Sequence, residues 1–260
     1  MTAAAVPPIA ELVAPGSWRA VDCIADLHLD AAHPATLAAL EAYLARTQAD
    51  AVCILGDLFE VWVGDDAIGE PGSFEGAVCA LLRAAALRRP LWFLHGNRDF
   101  LIGAGFARAT GITLLADPTV LVLGGARWLL SHGDALCVDD APYQRFRAMV
   151  RAPDWQARLL AQPLAARRAQ ARAIRSESEA RKHAATTWAD VDTAAALAWL
   201  RAAHAPALVH GHTHRPADHV LAPGCTRHVL TDWDLDAPPR RAGVLRLRAQ
   251  GAERITPEAA

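Results

Sequence analysis

The sequence predicts an α/β domain interrupted once by a helical insertion. Three observations lead there. Short apolar runs alternate with helix-period segments over the first hundred residues. A second group of short apolar runs follows between about residues 112 and 247. From about residue 140 to 204 the pattern turns helical, with Pro153 and Pro163 breaking it into pieces. The 260 residues suffice for one large domain or one domain with an insertion, and 53% hydrophobic residues exclude wholesale disorder.

Residues 1–18, with their Ala and Pro, are expected to be a loosely ordered extension, and 250–260 a C-terminal tail. Val21–Ala25 reads as a buried strand and Pro34–Gln48 as a helix begun by a proline. Ala51–Leu55 is a second strand, Ser73–Arg89 a helix with Ser73 as N-cap, and Leu91–Leu94 a third strand. This βαβαβ order implies parallel strands with right-handed crossovers. Ile112–Leu115, Val120–Leu123 and Arg127–Ser131 follow as strands, with Gly124-Gly125 as a hairpin turn. Ala207–Val209, His219–Leu221, Arg227–Leu230 and Val244–Leu247 continue the β pattern. The domain is thus expected over 19–249, with a helical cap inserted at about 140–204.

Composition narrows the setting. The five cysteines are an odd number without a C-x-x-C pair, as expected of buried thiols in a reducing cytoplasm. The N-terminal residues lack the basic start and apolar run of a signal peptide, and no apolar stretch approaches the roughly 18 residues of a membrane span. The expectation is a soluble chain, attached at most to a membrane surface.

Five short motifs each end an apolar run: Asp26-Leu27-His28, Gly56-Asp57, Gly96-Asn97-Arg98-Asp99, His132-Gly133-Asp134 and Gly211-His212-Thr213-His214. Singly, each is ordinary: a lone Gly-Asp is a turn, and a lone His-x-His is a surface pair. Jointly, at the carboxyl ends of strands, they converge on one crevice. Residues two apart on extended chain point the same way, so Asp26 with His28, and His212 with His214, can face one ion. Carboxylate, amide and imidazole without thiolate favour Mn, Fe, Co or Zn over Ca. Two such ions can clamp a phosphoryl group and activate water.

These motifs resemble those of the calcineurin-like metallophosphoesterases. The fuller strings Ile24–Leu29, Leu55–Glu60, His95–Leu101, His132–Asp134 and His210–Pro216 resemble the UDP-2,3-diacylglucosamine hydrolases of lipid A synthesis within that superfamily. The resemblance runs from about residue 20 to 249 and is weakest in the cap. It implies a β-sandwich of two mixed sheets flanked by helices, with an inserted helical cap. It also implies two divalent ions per chain, Mn²⁺ being the expected metal. One ion would be held by Asp26, His28, Asp57 and His214, the other by Asp57, Asn97, His132 and His212, with Asp57 bridging. The implied catalytic set is Asp57, Asn97, Arg98 and His132. The implied substrate contacts are Asn97, Arg98, Asp140, Ser178, Lys182 and His212, with Ser178 placed by the R-x-x-S spacing from Arg175. The implied partners are a UDP-diacylglucosamine lipid and the anionic cytoplasmic face of the inner membrane, with no nucleic acid and no obligate protein partner. The implied reaction releases UMP from the diphosphate. Two alternatives stay open: a hydrolase of nucleotide sugars or dinucleoside polyphosphates, and a dead phosphoesterase fold serving as a scaffold, although no ligand is missing.

Arg98 stands where general phosphoesterases carry a histidine in the G-N-H motif. A missing general acid matters little when the leaving group is itself a phosphate, whose second pKa is about 6. A guanidinium can also grip a second phosphate with two bonds. The bland alternative is an ion-pair residue. In the cap, residues 145–182 carry nine Arg and Lys182 against Asp154, Glu177 and Glu179, while Trp155, Leu159, Leu160 and Leu164 lie between them. The charge of +7 against −9 for the rest of the chain favours an anionic partner, and Arg167 and Arg168 are expected to face it. The bland alternative is an amphipathic insertion with a solvated Arg face.

Overall fold

The computed structural model describes residues 6–184 and 190–260, with side chains described outside 176–189. Strands β1 (Ala10–Val13), β6 (Thr119–Leu123), β7 (Ala126–Leu130), β8 (Ala207–His210), β10 (Cys225–Val229) and β9 (Ala217–Ala222) form one sheet in that order. The other sheet runs β12 (Gly251–Ile255), β11 (Val244–Arg248), β2 (Val21–Ile24), β3 (Ala51–Leu55), β4 (Leu91–Leu94) and β5 (Thr113–Leu114). Both are mixed. Strands β2 to β5 are parallel, as are β7, β8 and β10, while the β6–β7 hairpin and the β11–β12 edge are antiparallel.

Strand alternation divides the apolar residues between layers. Cys23, Cys53 and Leu55 face inward against Leu121, Leu130 and Val209 of the other sheet. Their neighbours Ile24, Val52, Ile54 and Phe93 face outward. There they are covered by α1 (Pro34–Arg46) and α2 (Phe74–Ala86), and Phe106 of α3 (Ala104–Thr110) joins the same layer. The opposite face, Val120, Leu129 and Leu208, is covered by α7 (Thr193–Ala203). The β-sandwich between helices is therefore as expected. Ser73 caps α2 by accepting the amide of Gly76 at 3.0 Å.

Three boundaries differ from expectation. Residues 10–13 are a parallel edge strand on β6, not loose chain. Residues 251–255 likewise pair with β11 rather than forming a tail. Both are edge strands, which pair through backbone and need few apolar side chains, so their sequence pattern is faint. The cap also ends sooner. It comprises α4 (Ala141–Val150), α5 (Pro153–Leu160) and α6 (Leu164–Ala184). Helix α7 belongs to the sandwich, because Ala195, Ala196, Trp199, Leu200 and Ala203 give it an apolar stripe buried on the sheet.

Candidate metal centre

The five motifs lie just past β2, β3, β4, β7 and β8, at the carboxyl edge where the two sheets meet. The chain there leaves extended geometry abruptly. Among the described residues, six non-glycines have positive φ, and five of them are Asp26 (55°), His28 (47°), Asp57 (52°), His212 (67°) and His214 (51°). This left-handed geometry is costly for L-residues, least so for Asp, Asn and His. Hydrogen bonds between the loops hold it: the amide of Asp26 donates to Gly56 O, that of His28 to Asp57 O, and that of His212 to Asp26 Oδ2 at 2.9 Å. Two glycines clear the approach. A Cβ on Gly96 would collide with Asp57 Oδ1, and one on Gly211 with Asp26 Oδ2.

The predicted side chains gather in two sets. In the first, Asp26, His28 and His214 each bring one donor atom within 4.8 Å of the others. His28 Nε2 lies 3.2 Å from His214 Nε2 and 3.9 Å from Asp57 Oδ2. In the second, Asn97 Oδ1 lies 3.0 Å from His132 Nε2 and 2.8 Å from His212 Nδ1, and Asp57 Oδ1 is 3.7 Å from His132 Nε2. The two oxygens of Asp57 thus face different sets. Asp26 also stands close to Asp57 and His132.

The donor chemistry fits cations. His28 Nδ1 lies 2.7 Å from Glu60 Oε2, His132 Nδ1 lies 2.9 Å from Leu55 O, and His214 Nδ1 lies 3.5 Å from Asp232 Oδ2. The Leu55 carbonyl accepts the His132 Nδ1 proton, which leaves Nε2 of that ring toward the site; beside His28 and His214 the outer groups are carboxylates. Within the site, carboxylate and amide oxygens meet the rings. Burial lowers the proton affinity of His132, yet Asp57, Asp134 and Asp26 outweigh it and raise the ring to about 9. A field that keeps a proton on a buried imidazole will also hold a metal ion.

Arg98 sits at the rim. Its amide donates to Asp57 Oδ1 at 2.8 Å, and its Nη1 lies 3.4 Å from Glu60 Oε1. Asp140 is not among the gathered donors; it caps α4 by accepting the amide of Tyr143 at 3.0 Å. Tyr143 in turn holds its ring 5.9 Å from that of His212. The side chains of Ser178 and Lys182 lie outside the described ones.

Sequence reasoning overlooked the residues that position these groups. Glu60 closes the Leu55–Glu60 string, and Asp134 follows His132-Gly133, yet neither charge carries a motif that reveals its partners. Burial alone would raise Glu60, but His28, Arg98 and Arg175 around it bring it down to about 2. Asp134 Oδ2 accepts the Tyr143 hydroxyl at 2.6 Å and Arg147 Nε at 2.8 Å, and Arg151 donates to Gly96 O at 2.9 Å. Helix α4 and its C-cap Arg151 are therefore fastened to two of the motif loops.

The expectation that Arg167 and Arg168 face an anionic partner is overturned. Arg167 is 3% exposed and bonds Asp66 and Val63 O, and Arg168 pairs with Glu70 at 2.7 Å. Both seat α6 on the 3-10 turn Asp65–Gly69 and the residues beside it. The exposed basic groups of the described cap are Arg145, Arg158 and Arg172, with Met149 and Leu160 exposed among them.

The family profile described as calcineurin-like phosphoesterase matches residues 20–216. The UDP-2,3-diacylglucosamine hydrolase of Chromobacterium violaceum is 49% identical over 224 residues, which cover 82% of this chain and 90% of that protein. That of Bordetella pertussis is 46% identical over 235 residues, covering 88% and 91%. That of Xanthomonas axonopodis pv. citri is 46% identical over 245 residues, covering 88% and 95%. Among solved structures, Vps29 of Entamoeba histolytica resembles 91% of this chain and 98% of its own, at TM-score 0.46 and 15% identity.

Proposed function

The chain belongs to the calcineurin-like phosphoesterase family, among its UDP-2,3-diacylglucosamine hydrolases, and from that membership we propose that it cleaves the diphosphate of UDP-2,3-bis(3-hydroxyacyl)glucosamine. The products are UMP and 2,3-diacylglucosamine 1-phosphate, within lipid A synthesis. The observation that carries the proposal is the pair of ligand sets meeting at Asp57, with the Arg98 guanidinium at their rim.

Asp26, His28, Asp57 and His214 would hold one divalent ion, and Asp57, Asn97, His132 and His212 a second. Asp57 is the shared ligand because its oxygens face both sets. Mn²⁺ suits this mixed oxygen and nitrogen donor set. When bound, the ions supply Lewis acidity and an activated water for attack on the uridine-side phosphorus. Asn97 and His212 line the ground on which that phosphate rests. Arg98 offers its forked donors to the second phosphate, which departs without needing a proton.

Helix α4 carries Asp140 and Tyr143 to the edge of the same crevice, so Asp140 is a proposed substrate contact, as are Ser178 and Lys182. Phe100, two residues past Arg98, has its ring 6.2 Å from that of Trp155 in the cap. This apolar junction would shelter the acyl chains. No helix among the described residues is long and apolar enough to cross a membrane. Arg145, Arg158 and Arg172 with Met149 and Leu160 would instead rest on the anionic cytoplasmic face of the inner membrane.

Product analysis in Mn²⁺, with UDP-diacylglucosamine and UDP-N-acetylglucosamine side by side, tests the reading. UMP should come from the lipid substrate and hardly at all from the sugar nucleotide. Equal release from both would make the enzyme a polar diphosphate hydrolase, and no UMP from the lipid would end the proposal.

A further inference from the structure

Asp99 closes the Gly96-Asn97-Arg98-Asp99 motif, yet it belongs to neither ligand set. It is 0% exposed. A buried carboxylate needs donors, and those of Asp99 are backbone amides from two loops. Oδ1 accepts the amide of Gly96 at 2.9 Å, in the loop after β4, and that of Asp57 at 3.3 Å, in the loop after β3. Oδ2 accepts the amides of Leu58 at 2.7 Å and Phe59 at 3.4 Å. Asp57, Leu58 and Phe59 are consecutive, and with φ at 52° on Asp57 their amides turn onto one spot, as in backbone concavities that bind anions. The exchange is reciprocal. Asp57 Oδ1 accepts the amide of Arg98 at 2.8 Å, so each loop sends a carboxylate into the backbone of the other. The contact has no slack: a Cβ on Gly96 would collide with the Asp57 amide nitrogen as well as with Oδ1.

We propose that Asp99 is a positioning residue: it locks the loop of Asp57 against the loop of Asn97, and so sets where the shared carboxylate stands between the two ligand sets. The proposal rests on the metal reading above. The oxygens of Asp57 face both sets, and Asn97 Oδ1 stands within 3.0 Å of His132 Nε2 and His212 Nδ1 in the second. A shift of one loop against the other would therefore move Asp57 relative to its fellow donors. A carboxylate suits this task better than a neutral acceptor. It offers about four lone-pair sites, enough for all four amides, and its bonds to N–H groups are roughly twice as strong as neutral ones. Loops tied in this way are in place before any ion arrives, so ion binding does not have to order them.

The first measurement needs no variant. In the metal-stripped full chain, hydrogen exchange at the amides of Gly96 and Leu58, followed by NMR, should already be slow, and Zn²⁺, a diamagnetic ion suited to the same donors, should change it little. Slow exchange only with the ion bound would mean that the metal gathers the loops, and would overturn the proposal. The second uses Asp99→Asn, which sets an NH₂ group against two backbone donors. Calorimetric titration of metal-stripped protein should show Mn²⁺ bound about 10- to 100-fold more weakly than in the wild type. The loss of kcat should agree within about twofold between a UDP-lipid and an aryl phosphodiester, with KM little moved. Asp65 supplies a control, because its carboxylate accepts the amides of Gly103 and Phe106, both at 3.0 Å, outside the ligand loops. Asp65→Asn should lower Tm and leave Mn²⁺ affinity unchanged. Equal weakening of Mn²⁺ binding in both variants would reduce Asp99 to a stability residue. Wild-type Mn²⁺ affinity in Asp99→Asn, or a loss confined to the UDP-lipid, would overturn the positioning role while the metal reading stands. A wild-type chain that binds no Mn²⁺ would end the metal reading, and this proposal with it.

Discussion

In the strand-end cradle, buried Asp26 and Asp57 face imidazoles at 3.6 to 3.9 Å, held there by backbone that turns left-handed at five ligand positions. In the cap, Arg147, Arg151, Arg167 and Arg168 reach back to Asp134, Gly96, Asp66 and Glu70. The cradle uses backbone to place side chains; the cap uses side chains to place backbone. Ligand geometry in the cradle is thereby set by sheet register and resists small perturbations. The seat of the cap is electrostatic and answers to charge and pH. Both regions are rich in charge, yet buried carboxylates face imidazoles in one, and arginines fasten helices in the other.

The sharpest way to break this contrast is Asp57→Ala. Removing the residue that faces both ligand sets should lower turnover by at least about 10³-fold and abolish tight binding of both ions, with the fold kept by the sandwich. Two equivalents of bound Mn²⁺ in that variant, measured by elemental analysis after dialysis, would show the cradle does not depend on a shared carboxylate. Arg98→Ala comes next. It should cost about 10²-fold on a UDP-lipid and far less on an aryl phosphodiester, because it removes donors for the second phosphate only. Matching losses would return Arg98 to the role of a plain ion pair.

The cap effects are smaller. Reversing charge at Arg145, Arg158 and Arg172 should weaken attachment to phosphatidylglycerol vesicles by about 1 kcal/mol per residue at low salt, as read by sedimentation. Unaltered sedimentation would remove the membrane face from the cap. Arg167→Met should leave vesicle binding alone and act on stability. Arg167 holds the Asp66 carboxyl below its ordinary range. The folded pKa is thus the lower one. The contribution of Asp66 is complete above the unfolded value of about 4 and fades as pH falls through the folded value. The acid limb of the stability curve should therefore be flatter in Arg167→Met, in urea titrations from pH 6 to pH 3. A limb as steep as in the wild type would mean that Asp66 does not anchor α6.

Legibility in the sequence followed the same division. Ala51–Leu55 and Leu91–Leu94 are strands with the expected bounds, and Ser73 caps its helix, because those features depend on local pattern. Pro153 opens α5 and Pro163 immediately precedes α6, as prolines at first turns do. That seven side chains gather at one place was readable because strand ends, glycines and short spacing announce them together. Glu60, Asp134 and Asp232 were not. Each is one ordinary acidic residue whose meaning comes from partners 9 to 115 positions away in the chain: Tyr143 and Arg147 for Asp134, Arg241 for Asp232, and Arg175 for Glu60. The positive cap segment was read correctly as unusual and wrongly as outward-facing at Arg167 and Arg168, since a charge count carries no direction.

The left-handed ligand backbone has a further consequence, one for the evolution of the chain. A non-glycine residue held there costs up to about 1–2 kcal/mol relative to relaxed geometry, and less for Asp and His. Five together still take a sizeable share of the net stability of a typical domain, about 5–15 kcal/mol. Replacing a ligand such as His214 by glycine would relax the backbone while destroying the donor. Drift toward greater thermal resistance therefore runs downhill into inactivity at these five positions. A lineage that ceased to need these side chains should therefore lose them before it loses the sandwich.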